Sequence, residues 1–247
     1  MKIGVADFGM NVWDGGCFDI QRRLLDLKAI GYEGTERLEA VTESEVIHRS
    51  AMYRRCGMGF ALCRGTTIQN TIEWTAALGK EYVWVTVAGK DFETYCRQAQ
   101  KQAKASLAYG VKTVVHNHLG QTVESQKQVE DFLAKCPDCG LLLDTAHLDG
   151  AGGDCMEIVG KYHDRIAALH LKDWVMLDET KGLAEWGKRL RFCELGAGRM
   201  GDLNARVLKT MVKKGFDGWV FVEHDHHQQE PVKELAISRE YIRKAGF

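Results

Sequence analysis

Proline is nearly missing from this chain, with two residues in 247, while glycine is plentiful at 26, a balance that fits many tight strand–helix turns. Neither sign of charge dominates: 33 Lys and Arg face 34 Asp and Glu for a net charge of −1. That removes the positive field which draws a protein to nucleic acid or anionic membranes. No apolar run approaches a membrane span. The opening Met1-Lys2-Ile3-Gly4-Val5-Ala6-Asp7 lacks the basic stretch and apolar core of a secretory leader, so a cytoplasmic protein is expected. The eight cysteines are dispersed, as suits reduced thiols. Their single paired spacing, Cys136-Pro137-Asp138-Cys139, has the form of half a zinc site or a redox pair but stands alone before a buried strand, where it reads as a turn. There is no Gly-rich dinucleotide fingerprint after the first strand, no short repeat and no linker. With 45% hydrophobic and 27% charged residues, long disorder is not expected.

What is present is an alternation of apolar runs and amphipathic stretches. The runs predict eight strands: Ile3–Phe8, Tyr32–Glu36, Phe60–Cys63, Tyr82–Val87, Thr113–His116, Leu141–Asp144, Ile166–His170 and Trp219–Glu223. Between them Ile20, Leu24 and Leu27, then Tyr95, Ala99, Ala103 and Leu107, then Leu203, Val207, Leu208 and Met211 recur at helical spacing. Gly31, Gly110, Gly140 and Gly215 stand where a helix would close in a left-handed cap before the next strand. The pattern predicts an α/β fold, a (β/α)8 TIM barrel forming one domain over residues 1–247. The one long connection, 172–201, carries Trp174, Trp186 and Phe192 and is the candidate lid. A surface excursion with its own helix around Leu183–Leu190 reads equally well.

Four polar clusters follow apolar runs: His116-Asn117-His118, Asp144-Thr145-Ala146-His147, His170-Leu171-Lys172-Asp173 and Glu223-His224-Asp225. Groups delivered from successive strand ends are how such a barrel builds its reaction site. Asp144, His170 and Glu223 offer the mixed oxygen and nitrogen donors that suit Mn²⁺, Co²⁺, Mg²⁺ or Zn²⁺. An ion there would polarise a carbonyl or hold neighbouring polyol oxygens while Glu223, as ligand and base, removes the adjacent proton. His116, His118 and His147 titrate near neutrality and can protonate a leaving hydroxyl or hold substrate oxygens, and Lys172 can steady an oxyanion. Any one of these is more often a hydrogen-bonded structural residue; their recurrence at strand ends is the signal. Lys172-Asp173 also reads as an ion pair, and His224, His226 and His227 as a solvated loop. Glu36 can meet sugar hydroxyls or pair with an arginine, Glu124 can compensate a helix dipole, and Arg199 sits in the Gly-rich turn Leu195–Asp202 that can clamp substrate. Trp174 is a candidate substrate platform, lid residue or subunit contact.

Together, His116-Asn117-His118-Leu119-Gly120 with Glu124, Asp144-Thr145-Ala146-His147-Leu148 with Ala151-Gly152-Gly153-Asp154, His170-Leu171-Lys172-Asp173, Leu195-Gly196-Ala197-Gly198 and Val222-Glu223-His224-Asp225 resemble the xylose isomerase-like barrel superfamily, above all its inosose dehydratase and sugar-phosphate isomerase/epimerase-like members. The resemblance implies a TIM barrel holding one divalent ion, Mn²⁺ first, through Glu, Asp, His and Glu. Glu124, Asp144, His170 and Glu223 match those positions, with His116 or His118 as the other way to complete the set. It also implies a lyase or isomerase acting on a keto-sugar, inosose or 3-keto-glycoside through α-proton abstraction and a metal-stabilised enediolate. An aldose–ketose isomerase or ketose 3-epimerase, and a non-catalytic sugar-binding or scaffold barrel, are the alternatives. The expected partner is a small sugar or cyclitol, with no nucleic acid and no membrane. A homo-oligomer or partner subunit stays open.

Overall fold

The computed structural model describes residues 1–6, 19–225 and 227–247, so Phe8 of the first expected strand and His226 lie outside the described residues. The barrel strands are β1 Lys2–Val5, β2 Gly34–Glu39, β3 Gly59–Arg64, β4 Tyr82–Trp84, β5 Lys112–His116, β6 Cys139–Asp144, β7 Ile166–Leu171 and β10 Trp219–Val222, with β8 Asp173–Met176 and β9 Leu190–Cys193 in a separate pair. The helices are α1 Ile20–Ile30, α2 Glu43–Cys56, α3 Ile68–Ala77, α4 Phe92–Leu107, α5 Gln126–Lys135, α6 Thr145–Gly150, α7 Cys155–Tyr162, α8 Trp186–Arg189, α9 Leu203–Lys213 and α10 Pro231–Lys244. Among the described residues no helix is long and apolar enough to cross a membrane.

Eight strands form one parallel sheet in the order β3-β2-β1-β10-β7-β6-β5-β4. This is the expected TIM barrel, nearly closed, with the seam between β3 and β4 spanned by side chains. Tyr82 Oη and Trp84 Nε1 of β4 both donate to Glu36 Oε1 of β2, at 3.1 and 2.9 Å.

Strand alternation sets the interior. Val114, Leu142, Ala168 and Phe221 point into the barrel and pack in one cluster with Ala6, Ala61 and Tyr82. Their neighbours Val115, Leu141, Leu143, Leu169, Val220 and Val222 face the helices. Two residues further along that inner face come His116, Asp144, His170 and Glu223, so the hydrophobic plug is the floor on which the polar residues stand.

Some local expectations change. Gly31, Gly110 and Gly215 adopt positive φ, but Gly140 lies inside β6, where Arg165 O and the Lys112 and Val114 side chains crowd any Cβ. The buried face of α4 is Cys96, Ala99, Ala103 and Ser106, while Leu107 is exposed because the helix stripe turns away before its end. Cys136 and Cys139 are free, buried thiols bracketing a turn, each donating to a carbonyl of α4.

The long connection is not an open loop. β8 and β9 pair antiparallel, and the segment between them holds a 3-10 turn, Leu183–Glu185, followed by α8. Trp174 and Phe192 are buried, because they pack with Leu119, Ala146, Leu190 and Met200 into a small core. Asp173 fastens this excursion. Its Oδ1 accepts from the amides of Trp174 and Met200 at 2.7 and 3.0 Å, and its Oδ2 from those of Gly196 and Gly198 at 3.0 and 3.1 Å. A Cβ at Gly198 would lie 2.3 Å from Asp173 Oδ1 and 2.4 Å from Trp174 O. Gly198→Ala is therefore expected to cost about 2–3 kcal/mol in urea unfolding. Gly182→Ala, which meets open space, should cost little; equal losses in both would show that the Asp173 clamp does not need Gly198.

Candidate metal centre and active site

His116 ends β5, Asp144 ends β6, His170 is the last but one residue of β7, and Glu223 follows β10. Asp144 is also the N-cap of α6: its Oδ1 accepts from the His147 amide at 2.9 Å, which leaves Oδ2 to the barrel mouth. Asn117 fixes the backbone there, its Nδ2 donating to Asp144 O at 2.9 Å and its Oδ1 accepting from Asp144 N at 2.8 Å. Sequence reasoning gave Asn117 no task, although a wholly polar residue between two histidines was the available signal.

One donor atom from each of His116, Asp144, His170 and Glu223 lies within 4.8 Å of the others. His116 Nε2 is 3.3 Å from Asp144 Oδ2, and His170 Nδ1 is 2.7 Å from Glu223 Oε2. Both ring nitrogens of His170 and the Oε2 atoms of Glu36 and Glu223 are buried yet lack hydrogen-bond geometry. Atoms in contact without that alignment are what ligands converging on a common centre present. Two carboxylates and two imidazoles, with no thiolate, form a donor set that fits a divalent ion such as Mn²⁺, Co²⁺, Zn²⁺ or Mg²⁺.

Glu36 sits behind His170, its Oε2 3.1 Å from Nε2 on the side away from Glu223. A carboxylate on the far nitrogen of a ligating imidazole orients the ring and raises its basicity. Burial works against charge on His170, but the Glu36 and Glu223 carboxylates outweigh it and push its pKa up to about 10. Burial likewise opposes ionisation of Glu36, and His170, ahead of Arg37, overcomes it to hold the carboxyl below its usual range.

Lys172 is the fully buried cation of the site. Its Nζ is 3.0 Å from Glu223 Oε2, 3.1 Å from Asp225 Oδ1, 3.3 Å from Asp144 Oδ2 and 2.9 Å from His147 Nε2. Burial would discharge it, but Asp144, Glu223 and Asp225 reverse that and raise its pKa. The same ammonium, after burial itself, lowers the pKa of His147 and His118, so both imidazoles are neutral. Asp225, assigned nothing from sequence, completes the group around Lys172.

An aromatic wall closes one side. The His118 and His147 rings lie 3.7 Å apart, Trp186 of α8 approaches them at 5.9 and 6.1 Å, and Phe192 is 4.8 Å from His147. Trp84 stands across the mouth, 5.0 Å from His116 and 6.0 Å from His170.

Other expected site residues stand elsewhere. Glu124 accepts from the Gly120 amide at 2.8 Å, bracing that turn outside the convergent set. Trp174 donates to Asp149 at 2.8 Å and carries Arg199 over its ring at 5.2 Å. Both line a cavity that none of the four convergent residues borders. His224 and His227 are not a solvated loop. They flank Glu234 Oε2 at 3.4 and 2.6 Å, while Glu234 Oε1 accepts from the amides of Gln228 and Gln229, both at 2.6 Å, stapling the post-β10 loop to α10.

Two outcomes follow. Lys172→Met leaves three carboxylates facing one another, so the variant should lose about 3–5 kcal/mol and regain part of it on adding Mn²⁺; an unchanged melting temperature, indifferent to Mn²⁺, would contradict this charge balance. Burial raises the Glu234 pKa, but His224, the Gln229 amide and His227 outweigh it and bring it down to about 2. Its stabilisation is thus present above the ordinary carboxylate range and lost as pH falls towards about 2, so Glu234→Gln should flatten the acid limb of the stability profile.

A family model described as a xylose isomerase-like TIM barrel matches residues 66–245. Inosose dehydratase of Bacillus velezensis is 28% identical over 284 aligned positions, covering 97% of this chain and 94% of that protein. Inosose dehydratase of Lactiplantibacillus plantarum is 26% identical over 179 positions, and there the match covers 69% of this chain but only 59% of that protein. Among solved structures, the IOLI protein with a bound zinc atom aligns at a TM-score of 0.67 and 17% identity, over 100% of this chain and 96% of its own.

Proposed function

Because this chain belongs to the xylose isomerase-like TIM barrel family, we propose that it is a divalent-metal-dependent lyase or isomerase acting on a keto-sugar, inosose or 3-keto-glycoside. The observation that carries this reading is the convergence of His116, Asp144, His170 and Glu223 on one centre, with Glu36 behind His170. The inosose dehydratase relatives support the substrate class and the zinc-bearing neighbour supports the ion. His116 takes the fourth ligand position in this reading, and Glu124 shapes the Gly120 turn. Mn²⁺ is our first choice of ion, and the free, mostly buried thiols suit a reducing cytoplasm.

The bound ion supplies Lewis acidity towards a substrate carbonyl and its neighbouring hydroxyl. The residues do the rest. Glu223 accepts the α-proton on its carboxylate. Lys172, held as an ammonium, faces the oxygen on which negative charge grows. The proton that Glu223 takes up is the one returned, to the departing hydroxyl so that it leaves as water or to the neighbouring carbon in an isomerisation, and His118, neutral and half-buried with His116 beside it at 5.6 Å between ring centroids, accepts a hydrogen bond from a substrate hydroxyl. His147 keeps the Lys172 head in place, and Trp186 with Phe192 excludes water from that side.

The test begins with protein purified without added metal, its bound Mn, Co, Zn and Mg measured by elemental mass spectrometry, before and after reconstitution. One equivalent is expected, lost in Asp144→Ala and His170→Ala. Inososes, 3-keto-glycosides and keto-sugars are then screened by product mass. Loss of water or of an aglycone marks the lyase, and unchanged mass with a new sugar marks the isomerase or epimerase. No ion bound after reconstitution overturns the proposal and leaves a non-catalytic sugar-binding barrel.

A further inference from the structure

Asp225 lies two residues beyond Glu223 and is not one of the four convergent donors. Its Oδ1 is 3.1 Å from Lys172 Nζ, and its Oδ2 is buried without a hydrogen-bond partner, 4.0 Å from His147 Nε2. The carboxylate is therefore engaged through Oδ1. Four acceptors surround the Lys172 ammonium, which has three N–H bonds to give. Those with hydrogen-bond alignment are His147 Nε2, at 2.9 Å, and Asp225 Oδ1. Asp144 Oδ2 and Glu223 Oε2 stand as near, at 3.3 and 3.0 Å, but meet the ammonium as charges. Glu223 Oε2 is without a hydrogen bond, and the aligned partner of Asp144 Oδ2 is His116 Nε2. These are the two carboxylate oxygens closest to the ligand imidazoles. Lys172 is thus aimed by a carboxylate outside the donor set, while the two carboxylates inside it keep their lone pairs.

We infer that Asp225 is a positioning residue for metal binding: by holding the Lys172 ammonium it leaves the Asp144 and Glu223 oxygens open to the ion, and so sets the affinity with which the ion is held. The inference rests on the metal-dependent function proposed above and gives a task to a side chain which that function does not use. Lys172 and Asp225 form one neutral pair, so the charges of Asp144 and Glu223 remain to offset a dication. Without the Asp225 charge the ammonium is left to Glu223 and Asp144. Its N–H bonds then turn onto the oxygens the ion needs, and the ion enters beside an uncompensated cation. His147 cannot take over, because an imidazole supplies an acceptor but no negative charge. Groups that orient metal ligands without touching the metal change its affinity by about 10- to 100-fold.

The experiment titrates the metal-free full chain with Mn²⁺ by calorimetry, with circular dichroism confirming the fold of each sample. Asp225→Asn, which keeps the size and removes the charge, should bind Mn²⁺ about tenfold or more weakly than the parent. Adding Lys172→Met to it should restore most of that affinity, because Asp225 acts through Lys172; in the Lys172→Met background Asp225→Asn should change affinity by less than about twofold. Equal affinity in the parent and a folded Asp225→Asn overturns the inference. So does a loss that persists undiminished in the Lys172→Met background, which would make Asp225 a ligand in its own right. If the variants do not fold, a crystal structure of the Mn²⁺-loaded parent decides. Lys172 Nζ within hydrogen-bond distance of Asp225 Oδ1 supports the inference, and an ammonium turned onto Asp144 or Glu223, or Asp225 on the ion, overturns it. No uptake of Mn²⁺, Co²⁺, Zn²⁺ or Mg²⁺ by the parent sinks the metalloenzyme reading and this inference with it, whereas uptake by the parent with no change in Asp225→Asn sinks this inference alone.

Discussion

The mouth of this barrel depends on a buried lysine ammonium set among its carboxylates. Asp144 Oδ2 and Glu223 Oε2 are brought by alternation to the same inner level as His116 and His170, and Asp225 adds a third carboxylate. Without compensation such a set costs several kcal/mol in desolvation and repulsion. Lys172 provides the compensation because it lies two residues beyond His170, where the chain leaving β7 still presents the same face. Its ammonium touches all three carboxylates and the His147 ring. The ionisation of Asp144 and Glu223, the neutrality of His118 and His147 and the placement of Glu223 follow from that contact.

In the proposed function the two carboxylates nearest the donor centre serve two cations. Asp144 Oδ2 and Glu223 Oε2 meet Lys172 and also belong to the convergent set. Carboxylate oxygens carry two lone pairs each, so an ammonium on one and an ion on the other can coexist. Asp144 Oδ1 is spent on the α6 cap, and Glu36 holds the rear of His170, leaving each ligand little freedom to rotate. A rigid set is what a reaction needing one geometry requires.

The strand order and this level of the barrel were legible in the sequence because a parallel strand buried on both faces leaves a continuous apolar run, and the first polar residue after it marks the mouth. Asp144, His170 and Glu223 were found that way. Glu36 was read as a sugar-binding residue because its partner, His170, lies 134 positions away and no local pattern shows that pairing. Glu124 was assigned from the resemblance to dehydratase-like members, with His116 or His118 as the other way to complete the set, and the Gly120 amide holds its carboxylate on its own loop. The pairing of β8 with β9 escaped notice because Asp173-Trp174-Val175-Met176 follows β7 after a single residue and reads as its frayed end. His224 and His227 looked solvated because what buries them is Glu234, from the next helix.

The pairing of Glu36 with His170 bears on how the barrel makes its site. Glu36 and Arg37 lie on β2 and Trp84 on β4, the strands either side of β3, whose outer edge is not joined to β4 by a ladder. There the backbone leaves hydrogen bonding to side chains, and Tyr82 and Trp84 reach across to Glu36 in its place. The carboxylate that closes the seam is thus the one that orients His170. Barrel closure and ligand orientation share a single residue, so a change at Glu36 that opened the seam would also release the ring facing Glu223. Sequence periodicity locates strands but is silent on a seam, since it is defined by a pairing that does not form.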